Sequence, residues 1–145
     1  MTRRICFVLL FSFTIVAVAS AQKADAILGT WANKSGEDHI LIYKKGNKYF
    51  GKLDWLKYPN DETGRPKTDK KNPDEKLHSR PLFGLELLQD FTYEGDNLYD
   101  DGTIYDPKSG KTYTCKMTLE GDKLNIRGYI GISLFGRTEI FTRVK

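Results

Sequence analysis

The chain is too poor in histidine and cysteine to build most metal or thiol chemistry. Its 145 residues contain two histidines, His39 and His78, and two cysteines, Cys6 and Cys115. No cluster at zinc-ligand spacing can be drawn from so few. The glycines form no phosphate-cradling loop, and no serine sits in a G-x-S-x-G elbow. "DNLYDDG" (96–102) lacks the ligand spacing and closing glutamate of a calcium loop. No basic patch is interleaved with aromatics, which removes a nucleic-acid role. No catalytic residue, metal site or cofactor is therefore assigned from sequence.

Long apolar runs are also missing, except at the start. "MTRRICFVLLFSFTIVAVASAQ" has a basic opening at Arg3 and Arg4, an apolar run from Ile5 to Val18, and the small-x-small triplet Ala19-Ser20-Ala21. This is the pattern of a cleaved signal peptide, and the run falls short of the roughly 20 residues that span a membrane. The expected division is a signal peptide over 1–21 and one domain over 22–145, exported to the periplasm or the medium. Removal of Arg3 and Arg4 lowers the formal charge from +4 to +2. Loss of Cys6 leaves Cys115 alone, so no internal disulfide is expected.

What is present is period-two alternation broken by turn residues. "ILGTWAN" (27–33), "HILIYKK" (39–45), "KYFGKLDWL" (48–56), "NLYDDGTIYD" (97–106), "KTYTCKMTL" (111–119), "KLNIRGYIGI" (123–132) and "RTEIFTRV" (137–144) read as strands. Gly46-Asn47 marks a two-residue hairpin, and Pro107 to Gly110 marks another turn. "LFGLELLQDFTY" (82–93) fits a strand or a short helix. About eight strands joined by tight turns predict an antiparallel up-and-down β-barrel. One polar stretch, 57–81, breaks the rhythm as a long loop.

Within "KTYTCKMTL", Tyr113, Cys115, Met117 and Leu119 share one strand face. Cys115 is thereby expected in the core, with a raised thiol pKa and little reactivity. Asp106 precedes Pro107 in a turn, where an Asx side chain bonds its own backbone.

Gly29-Thr30-Trp31 resembles the G-x-W signature of lipocalins and their calycin relatives. In those folds an arginine on the last strand packs across the tryptophan, and Arg143 occupies that place here. Gly29, Trp31 and Arg143 are the expected barrel closure. "GTW" (29–31), "KNPDEKLHSRPLFGLELL" (71–88), "DGTIYDPKSGKTYTCKM" (101–117) and "IRGYIGISLFGRTEIFTRV" (126–144) together resemble the secreted bacterial family of domain of unknown function 2147. The resemblance implies export and a lipocalin-like barrel. It implies no activity.

Function is then read from barrel physics. Eight strands enclose room for side chains or for one small ligand. The expected function is binding of a small lipophilic or amphipathic ligand inside the barrel. Candidate inward residues are Ile40, Ile42, Tyr49, Leu53, Trp55, Tyr113, Met117, Leu124 and Ile126, with Asn72, Arg80, Arg127 and Arg137 at the mouth. The ligand set among these is Tyr49, Trp55, Asn72, Arg80, Tyr113, Arg127 and Arg137. One alternative is an envelope-acting hydrolase that uses 57–81 as a lid and Asp69, Asp74 or His78 for acid–base work. The other is a protein–protein interaction module. Neither nucleic acid nor a membrane span after signal cleavage belongs to any of these readings.

Overall fold

The computed structural model describes residues 11–145; Cys6, Arg3 and Arg4 lie outside the described residues. Helix α1 (Phe11–Ala24) leads into a 3-10 turn at Asp25–Ile27. Eight strands follow: β1 (Gly29–Asn33), β2 (Asp38–Lys45), β3 (Lys48–Leu56), β4 (Glu86–Gly95), β5 (Leu98–Asp106), β6 (Lys111–Glu120), β7 (Lys123–Tyr129) and β8 (Arg137–Arg143). Each pairs with the next antiparallel, and β8 returns to β1, so the sheet is a closed up-and-down barrel. Among the described residues no helix is long and apolar enough to cross a membrane.

The ambiguous segment 82–93 resolves into β4. Its buried residues, Leu87, Leu88 and Phe91, are spaced as on a helix face. The cause is a local irregularity: Asp90 adopts a φ of 65°, and the pairing of β4 with β3 shifts register. A bulge therefore counterfeits a helical period. The first strand also starts later than expected, at Gly29, because Asp25–Ile27 form the 3-10 turn instead.

Side chains fill the barrel. Trp31, Tyr49, Phe91, Tyr99 and Met117 are each at most 1 % exposed. Space for them comes from glycines on the inner face. A Cβ on Gly102 would lie 2.5 Å from the Phe91 ring, and one on Gly51 would lie 2.8 Å from Leu88. Such interlocking is the density of a packed interior rather than of a container. Of the two contents expected for an eight-stranded barrel, side chains or one small ligand, the described residues place their own core along the axis.

The two ends differ. At one end lie the hairpins 45–48, 95–98 and 120–123 together with the 3-10 turn, whose Ile27 is fully buried. Trp31 Nε1 donates to the Ile27 carbonyl at 2.9 Å, while the Arg143 guanidinium donates to Leu28 at 3.0 Å and Ala26 at 2.6 Å. That guanidinium also sits 4.2 Å from the Trp31 ring centre. The expected closure by Gly29, Trp31 and Arg143 is present, and an arginine over an indole contributes about 0.5–2 kcal/mol. The opposite end carries the turn 34–37, the long segment 57–85, the turn 107–110 and the connection 130–136.

Candidate functional site

The seven expected ligand residues do not form one site. Tyr49 lies at the closed end, where its hydroxyl donates to Asp25 at 2.8 Å beside the Lys44 ammonium, also 2.8 Å from Asp25. Burial first, then the Asp25 carboxylate, pushes the Tyr49 phenol pKa up. Hydrogen bonds from Lys44 and then Tyr49 hold Asp25 below the usual carboxylate range, against its slight burial. This is an anchor for the 3-10 turn. Trp55 is 42 % exposed and packs against His39, the rings tilted and their centres 4.5 Å apart, so it does not point into the core as expected. Tyr113 is half-buried on β6. Arg127 faces outward, because its neighbour Ile126 takes the inner face. Its guanidinium donates to the carbonyls of Ser133 (2.8 Å) and Leu134 (3.2 Å). Arg137 is exposed and 3.7 Å from Glu139. Arg127 and Arg137 are thus engaged on β7, β8 and their connection, away from the others.

Asn72 and Arg80 do converge, and the residue that gathers them is Asp69. It is fully buried, yet it lies in the most polar stretch of the chain. One carboxylate oxygen accepts from Tyr105 at 2.6 Å; the other accepts from Arg80 at 2.6 Å and from Asn72 at 2.9 Å. The Asp69 N–H also donates to the Arg80 carbonyl at 2.9 Å. Burial pushes the Asp69 carboxyl up, but the bonds from Tyr105, Arg80 and Asn72 and the arginine's charge outweigh it. The net position is below the ordinary carboxylate range. Burial and then Asp69 raise the Tyr105 phenol in turn, keeping it neutral.

The segment 57–85 is exposed over most of its length but is strapped by its own hydrogen bonds. Asp61 accepts from the N–H of Thr63 and of Arg65, Asp74 accepts from the Lys76 N–H, and His78 Nε2 lies 2.7 Å from the Asn72 carbonyl. The three candidate acid–base groups, Asp69, Asp74 and His78, are each engaged in holding this segment together. Among the described residues no group of His, Cys, Asp and Glu is arranged to hold a metal ion.

Between the strap and the outer face of β4–β6 runs a cleft of about 260 Å³. Asn72, Pro73 and Arg80 form one wall; Leu87, Thr103, Tyr105 and Thr112 form the other, with Glu86 and Gln89 at its side. Arg80 Nε is buried and, among the described residues, has no hydrogen-bond partner. A hollow of about 530 Å³ lies over Asn60–Lys70, but its lining is that loop alone and holds no buried group. The smaller cleft has the chemistry: a cation, hydroxyls, amides and an apolar floor. Sequence reading named two of its members. It placed Asp69 only as a lid acid, since the contact with Tyr105 spans 36 residues.

Cys115 sits in the core as expected, fully buried among the inner side chains. Burial first, then nearby Asp100, pushes its thiol to about 12. Native protein treated with a thiol reagent at neutral pH is expected to leave Cys115 unmodified, and unfolding in denaturant should expose it stoichiometrically. Peptide mapping by mass spectrometry reads this directly. Rapid native labelling at Cys115 would contradict the packing described.

Residues 29–143 match the family described as "Uncharacterized protein conserved in bacteria (DUF2147)". No curated protein matches the chain. A solved structure, "Protein HP1028 from the human pathogen Helicobacter pylori belongs to the lipocalin family", superimposes with a TM-score of 0.69 at 22 % identity, over 82 % of this chain and 83 % of that one. The match extends over most of the chain, so the chain belongs to the DUF2147 family, and its barrel is lipocalin-like.

Proposed function

We propose that this DUF2147 protein is an exported binding protein for a small amphipathic ligand, held in the cleft beneath the 69–80 strap and not along the barrel axis. The observation that carries the reading is Arg80. Its guanidinium is fixed by Asp69 on one side, and its side chain, 37 % exposed, lines the cleft. The guanidinium N–H groups that Asp69 leaves exposed are donors for an incoming carboxylate, phosphate or carbonyl oxygen. Leu87 and Pro73 supply the apolar counterpart. Export is supported by the basic start, the apolar run and Ala19-Ser20-Ala21. Cleavage after Ala21 would leave the carbonyls of Lys23 and Ala24, which accept from Tyr99, in the product.

Native mass spectrometry of protein purified gently from the cells that make it tests this. The expected spectrum has an adduct that disappears on denaturation. Thr112→Trp, which fills the cleft without touching Asp69, should abolish the adduct. An adduct indifferent to Thr112→Trp would place the ligand elsewhere, and a bare protein mass would remove the tight-binding reading.

A further inference from the structure

β8 is longer than the strand that closes the barrel against it. β1 ends at Asn33, opposite Phe141, whereas β7 pairs with β8 from Arg137 onward. Val144 N–H bonds to Thr30 on the β1 side, and Arg143 N–H bonds to Asp122 on the β7 side. Alternation then aims the N–H and C=O groups of Thr138 and Ile140 at the β1 side, past the point where β1 has turned away. Among the described residues no backbone bond reaches those groups, and Arg137 to Ile140 are all exposed. A closed barrel normally abolishes free edges; this one keeps a short one.

Directly before that edge, the β7–β8 connection exposes Ile130, Ile132, Leu134 and Phe135 to between 57 and 79 %, and Ile140 is 47 % exposed on the edge itself. The connection is held in shape: Arg127 bonds the Ser133 and Leu134 carbonyls and the Thr138 hydroxyl. An apolar tip fixed beside an unpaired strand edge is the layout of strand addition.

We propose that the occupant is β8 of a second copy, paired antiparallel about a two-fold axis at Thr138. Charge selects both the partner and the register. With Thr138 opposite Thr138 of the other copy, Arg137 of each strand faces Glu139 of the other, so both cross-strand pairs are complementary. A shift of one step would put Glu139 opposite Glu139. The chosen register joins the free groups of Thr138 to their own counterparts and carries each tip alongside Ile140 of the other copy. Such an interface is isologous and closes at two subunits. The cleft at β4–β6, across the barrel from β8, stays open.

Sedimentation equilibrium of the full chain over a concentration series is the test. The parent is expected to approach twice its 16.6 kDa mass. Glu139→Arg makes both cross-strand pairs repulsive and should weaken association by about tenfold. The swap Arg137→Glu with Glu139→Arg should restore it. Any contribution of the N-terminal segment is common to all three chains. Leu134→Ser with Phe135→Ser, at exposed positions, should also weaken the dimer. A parent that stays monomeric, or a dimer indifferent to Glu139→Arg, overturns the proposal. So does a monomer that pellets with anionic phospholipid vesicles through Leu134 and Phe135, which would assign the tip to a bilayer.

Discussion

Replacing Trp31 with alanine is expected to cost about 3–5 kcal/mol of unfolding free energy, the range for a large aromatic removed from a packed core. For a domain of this size that lowers Tm by roughly 10–20 °C. The ring is fully buried, lies directly opposite Arg143 in the β1–β8 register, and donates to the Ile27 carbonyl. Two side chains thereby satisfy the consecutive carbonyls of Ala26, Ile27 and Leu28, which would otherwise be left at the barrel's end without strand partners. Arg143→Ala is expected to cost somewhat less, about 2–4 kcal/mol, from charge-assisted hydrogen bonds and the ring contact. Arg143→Lys keeps the charge and loses the fork that reaches two carbonyls at once, so it should recover only part. The interaction is specific only if the losses are not additive. Urea unfolding of the two single variants and the double variant should give a coupling energy of about 1 kcal/mol or more. Additive losses would show that the two groups support the barrel independently and that no staple exists.

The barrel was legible where each strand kept its period of two. Tyr113 to Leu119 alternate in and out as their spacing requires, and Gly46-Asn47 makes the hairpin it signals. The Trp31–Arg143 pair was legible because a short motif fixed one partner and position in the last strand fixed the other. Legibility failed where one residue interrupts the period. Asp90, with a φ of 65°, puts consecutive side chains out of phase, so β4 looked helical. Trp55 was placed inward by alternation from Leu53; pairing irregularities near His39–Ile40 sit beside the point where it leaves the core. The strap failed for a different reason. Its stretch is polar throughout, and nothing local distinguishes an aspartate in solvent from one that accepts from Tyr105, Arg80 and Asn72. Only the fold brings those donors together.

That network makes acid sensitivity the sharpest consequence of the site. The folded Asp69 pKa lies below its unfolded value of about 3.9, so the ionised group contributes stability that is fully present above that value. The contribution is lost as pH falls through the folded pKa, once the proton on Asp69 leaves the Arg80 guanidinium without its counter-charge. Native protein should therefore hold the 68–80 backbone protected from hydrogen exchange at neutral pH and release it below about pH 4, ahead of β6 and β7. Asp69→Asn reproduces the acid state at every pH. Breaking a buried ion pair costs about 3–5 kcal/mol, and the lower end applies because Arg80 is 37 % exposed. The variant's strap should exchange and be cleaved at its lysines with little dependence on pH, while the barrel core keeps its protection. A ligand bound against Arg80 would be lost with it. If Asp69→Asn instead left the strap as protected as in the parent, the carboxylate would be incidental to the strap, and the account of the cleft as shaped by it would fail.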